Sequence, residues 1–144
     1  MLALLFAIGN RLRGDDGAAL EALVHLGPQP HAELRVVHQL TPECAYELHA
    51  SGADLVVFVD ASTTALEPLI EPVPLPAGRT PLGHQLPPSS LVALARTLYG
   101  WTGKAWQCHI PAHDFDHGEG LNEETARHAR QAAELIRRLL AQSI

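Results

Sequence analysis

Two adjacent carboxylates, Asp15 and Asp16, stand in the turn Ile8-Gly9-Asn10-Arg11-Leu12-Arg13-Gly14-Asp15-Asp16-Gly17. A glycine-bearing turn between a strand and a helix normally cradles phosphate with its backbone N–H groups. Two negative charges would repel phosphate and attract a cation, so this turn offers metal binding or activation of water. A third carboxylate, Asp60, closes the apolar run Leu55-Val56-Val57-Phe58-Val59, and His84 lies in a stretch rich in Gly and Pro ahead of a helix. Two carboxylates and an imidazole make a mixed oxygen–nitrogen set suited to a borderline divalent metal such as nickel or zinc. Each residue also has a plainer role open to it. Asp15 or Asp16 can N-cap the first helix, an interaction of about 1 kcal/mol; Asp60 can be a turn residue, and His84 can sit at the surface.

For these groups to meet, the elements carrying them must be arranged in one way. Residues 2–8 have no polar side chain, as in a parallel strand covered on both faces. The first helix is expected over about residues 16–26 and is stopped by Gly27-Pro28. A second strand is expected over 33–40. A helix over about 41–51 follows, with Thr41 able to N-cap and Pro42 suited to the first helical position. Residues 54–60 form the clearest strand. Prolines 68, 72, 74 and 76 confine any strand in residues 67–76 to a sheet edge. Beyond the loop 77–88, Ser89 or Ser90 can cap a helix carrying Leu91, Leu94, Ala95 and Leu98. Residues 104–110 are the last strand. Asn122 caps a long terminal helix whose apolar stripe is Ala129, Ala132, Ile136, Leu139 and Leu140. This alternation predicts a single three-layer α/β/α domain with a mainly parallel five-stranded sheet and a Pro-rich edge strand. If the first and third strands are adjacent, Asp16 and Asp60 both lie at the carboxyl edge, where ligands bind in such sheets.

Composition narrows the function. The 144 residues are 47% hydrophobic and 18% charged, with a formal charge of −6 and no Lys/Arg block, which argues against a nucleic-acid partner. Nine histidines beside one methionine keep metal chemistry open. The apolar start is too short for a membrane span, and it lacks the basic region and cleavage site of a signal peptide. Two cysteines, Cys44 and Cys108, are too few for a disulfide framework. They are expected to be structural thiols in a reducing cytoplasm. There is no Gly-x-Ser-x-Gly elbow, no His-Glu-x-x-His helix and no Gly-x-Gly-x-x-Gly turn. Serine-hydrolase, ordinary zinc-protease and nucleotide-binding readings are therefore weak.

Taken together, these segments resemble the hydrogenase maturation proteases. These endopeptidases remove a C-terminal extension from the large subunit of nickel–iron hydrogenases after nickel insertion. The turn from Ile8 to Gly17 matches the opening motif of that family, in which the second acidic residue contacts metal. Leu55 to Asp60 with Ala61 matches its third strand, which ends in the second acidic ligand. Gly83-His84-Gln85 is similar to the segment carrying its histidine ligand, and Gly118-Glu119-Gly120-Leu121-Asn122 to its closing turn. The resemblance spans nearly the whole chain. It implies a nickel-dependent peptidase, expected to be a monomer with no organic cofactor, whose partner is the large-subunit precursor. It also implies Asp16, Asp60 and His84 as metal-contacting and catalytic residues, the nickel arriving with the substrate. Asp15 is left as a cap or a support for its neighbour.

The sequence departs from the family pattern at Ala7 and Ala19, which replace glycines, and at Leu40-Thr41-Pro42-Glu43-Cys44, which replaces a glycine-containing segment near the substrate's path. His109, His113, Asp114, Asp116 and His117 form a second polar cluster. It matches no closed structural zinc pattern, and is expected to be a solvated loop or a lining of the substrate groove. The rival reading is a non-catalytic module that docks a partner in metallocentre assembly.

Overall fold

The apolar run near the amino terminus forms strand β1 (Ala3–Ile8), all six residues of which are buried. The chain is a computed structural model that describes residues 1–10, 14–74, 86–113 and 120–143. A 3-10 turn, Gly14–Gly17, leads into helix α1 (Ala18–Leu26), followed by β2 (Ala32–Val37), α2 (Pro42–Ala50) and β3 (Leu55–Ser62). The short strand β4 (Leu69–Pro72), α3 (Pro88–Tyr99), β5 (Lys104–Pro111) and α4 (Glu123–Gln142) complete the order.

The sheet order is β2-β1-β3-β5-β4. Four strands run parallel, and β4 lies antiparallel against β5 at the edge. This is the expected mainly parallel five-stranded sheet with helices on both faces. Pro72 sits in the edge strand, where a missing N–H removes no ladder bond on the open side.

Each face of the sheet has its own core. On one, Leu5, Val57, Val59 and Ile110 pack with alanine-rich faces of α1 and α4 (Ala18, Ala22, Ala129, Ala132) and with Ile136. On the other, Leu4, Phe6, Val56 and Phe58 pack with Leu48 of α2 and with Leu91, Val92 and Ala95 of α3. Phe6 and Phe58 stack with ring centroids 5.6 Å apart, an arrangement worth about 0.5–1.5 kcal/mol beyond the area buried. The Trp101 indole donates to the Ala53 carbonyl at 2.8 Å and ties the end of α3 to the start of β3.

Several local expectations are corrected. Thr41 stands at the N-cap of α2 but makes no side-chain capping bond; its hydroxyl lies 3.7 Å from Cys44 Sγ. Helix α3 is entered through Pro87 and Pro88, so Ser89 and Ser90 lie inside it and cap nothing. Proline at the first helical position has its backbone angle already set, and that replaces a hydroxyl cap. Asn122 does cap α4, accepting from the Glu124 N–H at 2.9 Å.

Candidate functional site

Strand order decides where a ligand can sit. From β1 the chain moves outward to β2, then returns across β1 to β3, so the order reverses between β1 and β3. In open α/β sheets the crevice at that reversal, outside the carboxyl ends, is the binding site. The 3-10 turn bearing Asp15 and Asp16 follows β1, and Asp60 is on β3. Both elements meet the crevice.

Gly9 makes the turn possible. Its φ is +140°, and a Cβ built there would lie 2.0 Å from the Asp16 carbonyl oxygen. Only glycine lets the chain fold back this tightly. The Gly9 N–H is held by the Val37 carbonyl at 3.0 Å, and the next N–H, of Asn10, donates to Asp16 Oδ2 at 2.8 Å. Asp16 is thus fixed by the backbone at the mouth of β1.

Asp60 is not the last residue of its strand, as the sequence suggested. β3 continues to Ser62, paired with Pro111 of β5. Pairing with β1 stops at Ala7 and Val59, so Asp60 lies just past that pairing, beside the turn. Alternation puts it on the same face as Val56 and Phe58. Burial and, to a smaller degree, the charge of Asp16 push its carboxyl up to about 7, against a hydrogen bond from the Ala61 N–H that favours the anion. Asp16 and Asp60 are therefore close enough for one charge to oppose the other. A largely buried carboxylate with a second one nearby is what a divalent cation would neutralise.

Asp15 has a role that reading the sequence missed. Neither aspartate caps α1, whose N-cap position is Gly17 with no side-chain bond. Instead Asp15 is fully buried. One oxygen accepts from the Thr125 hydroxyl at 2.7 Å and the His113 N–H at 3.1 Å; the other accepts from the Asn122 N–H at 2.8 Å. It clamps the end of β5 and the start of α4 to the acidic turn. These partners lie a hundred or so residues away, and the sequence carries no local signal for them.

His84 lies outside the described residues, as do Asp114, Asp116 and His117. Of the second cluster, His109 pairs with Glu71 on the edge strand, while His113 meets Asp15 through its backbone. Among the described residues no three His, Cys, Asp or Glu side chains are grouped to hold a metal ion. Both cysteines are buried and unpaired. Burial pushes the Cys108 thiol up to about 12, which leaves no thiolate for attack at neutral pH. Among the described residues no helix is long and apolar enough to cross a membrane.

No protein-family model matches the sequence, and neither does any curated protein. Solved structures do match. HycI, a NiFe hydrogenase maturation protease from Thermococcus kodakarensis KOD1, is 25% identical with a TM-score of 0.73, over 97% of this chain and 92% of that one. The hydrogenase maturating endopeptidase HybD from E. coli is 18% identical with a TM-score of 0.76, over 99% and 94%. An uncharacterized protein from Wolinella succinogenes is 26% identical with a TM-score of 0.66, over 99% of both chains. The chain shares its fold, over nearly its whole length, with the hydrogenase maturation proteases.

Proposed function

We propose that this chain is an endopeptidase that removes the C-terminal extension of a nickel–iron hydrogenase large-subunit precursor once nickel is in place. The observation that carries the reading is the carboxylate pair Asp16 and Asp60 at the reversal point of a fold shared with hydrogenase maturation proteases.

The nickel is cargo of the substrate. Asp16 and Asp60, with His84 from outside the described residues, would complete its coordination alongside ligands of the precursor. The donor chemistry fits, because burial and then the nearby charge of Asp16 make the Asp60 anion costly, and a shared cation removes that cost. Bound there, nickel would polarise the adjacent peptide carbonyl or a water molecule. The chain's own residues do the rest. The Asn10 N–H fixes Asp16 Oδ2, so one arm of the site is set before substrate arrives. In the alternative assignment nickel serves recognition only, and Asp60, its carboxyl pushed up to about 7 by burial, is the general base for water. Asp15 holds the end of β5 and the start of α4 in place beside the cleft.

The direct test incubates the protein with nickel-loaded and nickel-free precursor and follows the loss of the extension by mass. Cleavage of the loaded form alone, abolished by Asp16→Asn, is the expected result. Tight binding of loaded precursor without any cleavage would return the non-catalytic docking reading.

A further inference from the structure

Beyond Ala105, which packs against the core, one face of β5 turns polar where a strand flanked by others in a layered fold is normally apolar. Its other face, with Cys108 and Ile110, belongs to the core under α1 and α4, and Trp106 packs against it. On the face shared with Phe58 and Asp60 it carries Gln107 beside Phe58 and His109 beside Asp60. Across the edge, Glu71 of β4 stands opposite Gln107. Its Oε1 accepts from Gln107 Nε2 at 2.7 Å and lies 3.1 Å from His109 Nε2. Gln107 first, then His109, holds the Glu71 carboxyl below its usual range, so it stays an anion. A carboxylate only accepts, so Nε2 carries a proton, and in the neutral form of His109 Nδ1 is then an acceptor.

That arrangement leaves Glu71 Oε2, Gln107 Oε1 and His109 Nδ1 as acceptors without a protein partner among the described residues. The His109 and Glu71 side chains are 30% and 43% exposed and Gln107 is half-buried, so solvent reaches the row. The row starts next to Asp60, since adjacent strands lie about 4.8 Å apart. Gln107 and His109 are two residues apart on a strand, a spacing of roughly 6.6 Å. The same spacing separates alternate N–H groups of an extended peptide. Pinning β4 accounts for the bonds to Glu71, but its backbone ladder to β5 already does that, and it does not account for the acceptors left over beside the candidate catalytic carboxylate.

We propose that Glu71, Gln107 and His109 are substrate-positioning residues, a row of acceptors that extends the cleft from Asp60 toward the β4 edge and binds the backbone N–H groups of an extended precursor segment flanking the scissile bond. This rests on the endopeptidase reading above. The test is steady-state cleavage of nickel-loaded precursor by Glu71→Ala, Gln107→Ala and the conservative Glu71→Gln, each checked by thermal melt. Each alanine variant raises KM about tenfold, the worth of one lost hydrogen bond to a charged or polar acceptor, with kcat within about twofold. Glu71→Gln keeps an acceptor and recovers part of the loss. Unchanged KM with a lowered melting temperature overturns the proposal and leaves the row as a pin for β4. A fall in kcat at constant KM overturns it too, because the row would then act on the chemistry. If the unmodified protein cuts no loaded precursor, the endopeptidase reading fails and this one with it; if it cuts and the variants match it, only this one fails.

Discussion

Asp60→Asn should make the folded protein more stable at neutral pH while abolishing cleavage. The Asp60 carboxyl has an ordinary value of 3.8 and is pushed up to about 7 by burial and by Asp16. A folded value above the unfolded one means the folded protein keeps a proton that the unfolded chain has released. Stability is therefore fully present below about 3.8, falls as pH rises toward 7, and levels off above that. Three units at about 1.4 kcal/mol each give an upper bound of roughly 4 kcal/mol. Asp60 is only partly buried, so screening by solvent reduces this to about 1–3 kcal/mol. Asparagine has nearly the same shape and no charge, so at pH 8 the variant should recover that amount, a rise in Tm of roughly 3–10 °C. The assay is a set of thermal or urea melts of both proteins from pH 4 to 8, read against precursor cleavage. The gain should vanish near pH 4 and grow through pH 7. A gain independent of pH, or a variant less stable than the parent at pH 8, would refute the argument that Asp60 is held against its own ionisation.

Gly9→Ala should lower stability by several kcal/mol, since the new Cβ would meet the Asp16 carbonyl at 2.0 Å; a melt within a degree of the parent would contradict the close approach. Asp15→Asn should cost about 3 kcal/mol or more, because an amide NH2 would face donors where the carboxylate accepts from His113, Asn122 and Thr125. Thr125→Val removes a single donor and should cost about 1–2 kcal/mol; urea unfolding compares the two, and a smaller loss for Asp15→Asn would reverse the reading. Cys108→Ala should leave cleavage intact while lowering stability by about 1 kcal/mol through lost packing, as kinetics on the purified variant would show.

The elements were legible in the sequence wherever periodicity and punctuation agreed. Residues of β1 and β3 read as buried strands because both faces are covered, and the prolines of the β4 region excluded it from the sheet centre. Helix starts were less legible. Ser89-Ser90 resembles a cap, yet Pro88 starts the helix one residue earlier. Asp15 before a helix has the same local signature whether it caps that helix or clamps another. Only the distant Thr125, Asn122 and His113 decide it. The histidines after Gln107 are neighbours in sequence, but period-two alternation on β5 turns His109 to Glu71 while His113 lies past the strand end.

The meeting of Asp16 and Asp60 was conditional on one fact no local pattern supplies, that β1 and β3 are neighbours. Had the strands followed chain order, β2 would lie between them. The turn after β1 would then be about 10 Å from Asp60, two strand spacings away. A cation with ligand bonds of roughly 2 Å could not be shared across that gap, and the charge of Asp16 would barely reach Asp60. In the observed order, β2 is displaced to the edge and the turn after β1 closes over the end of β3. Burial is the larger cause of the raised Asp60 carboxyl, and the charge of Asp16, brought near by that topology, adds to it. It follows that a substitution weakening the β1–β3 register, far from either carboxylate, should lower the Asp60 value toward 3.8 as the site loosens and water enters.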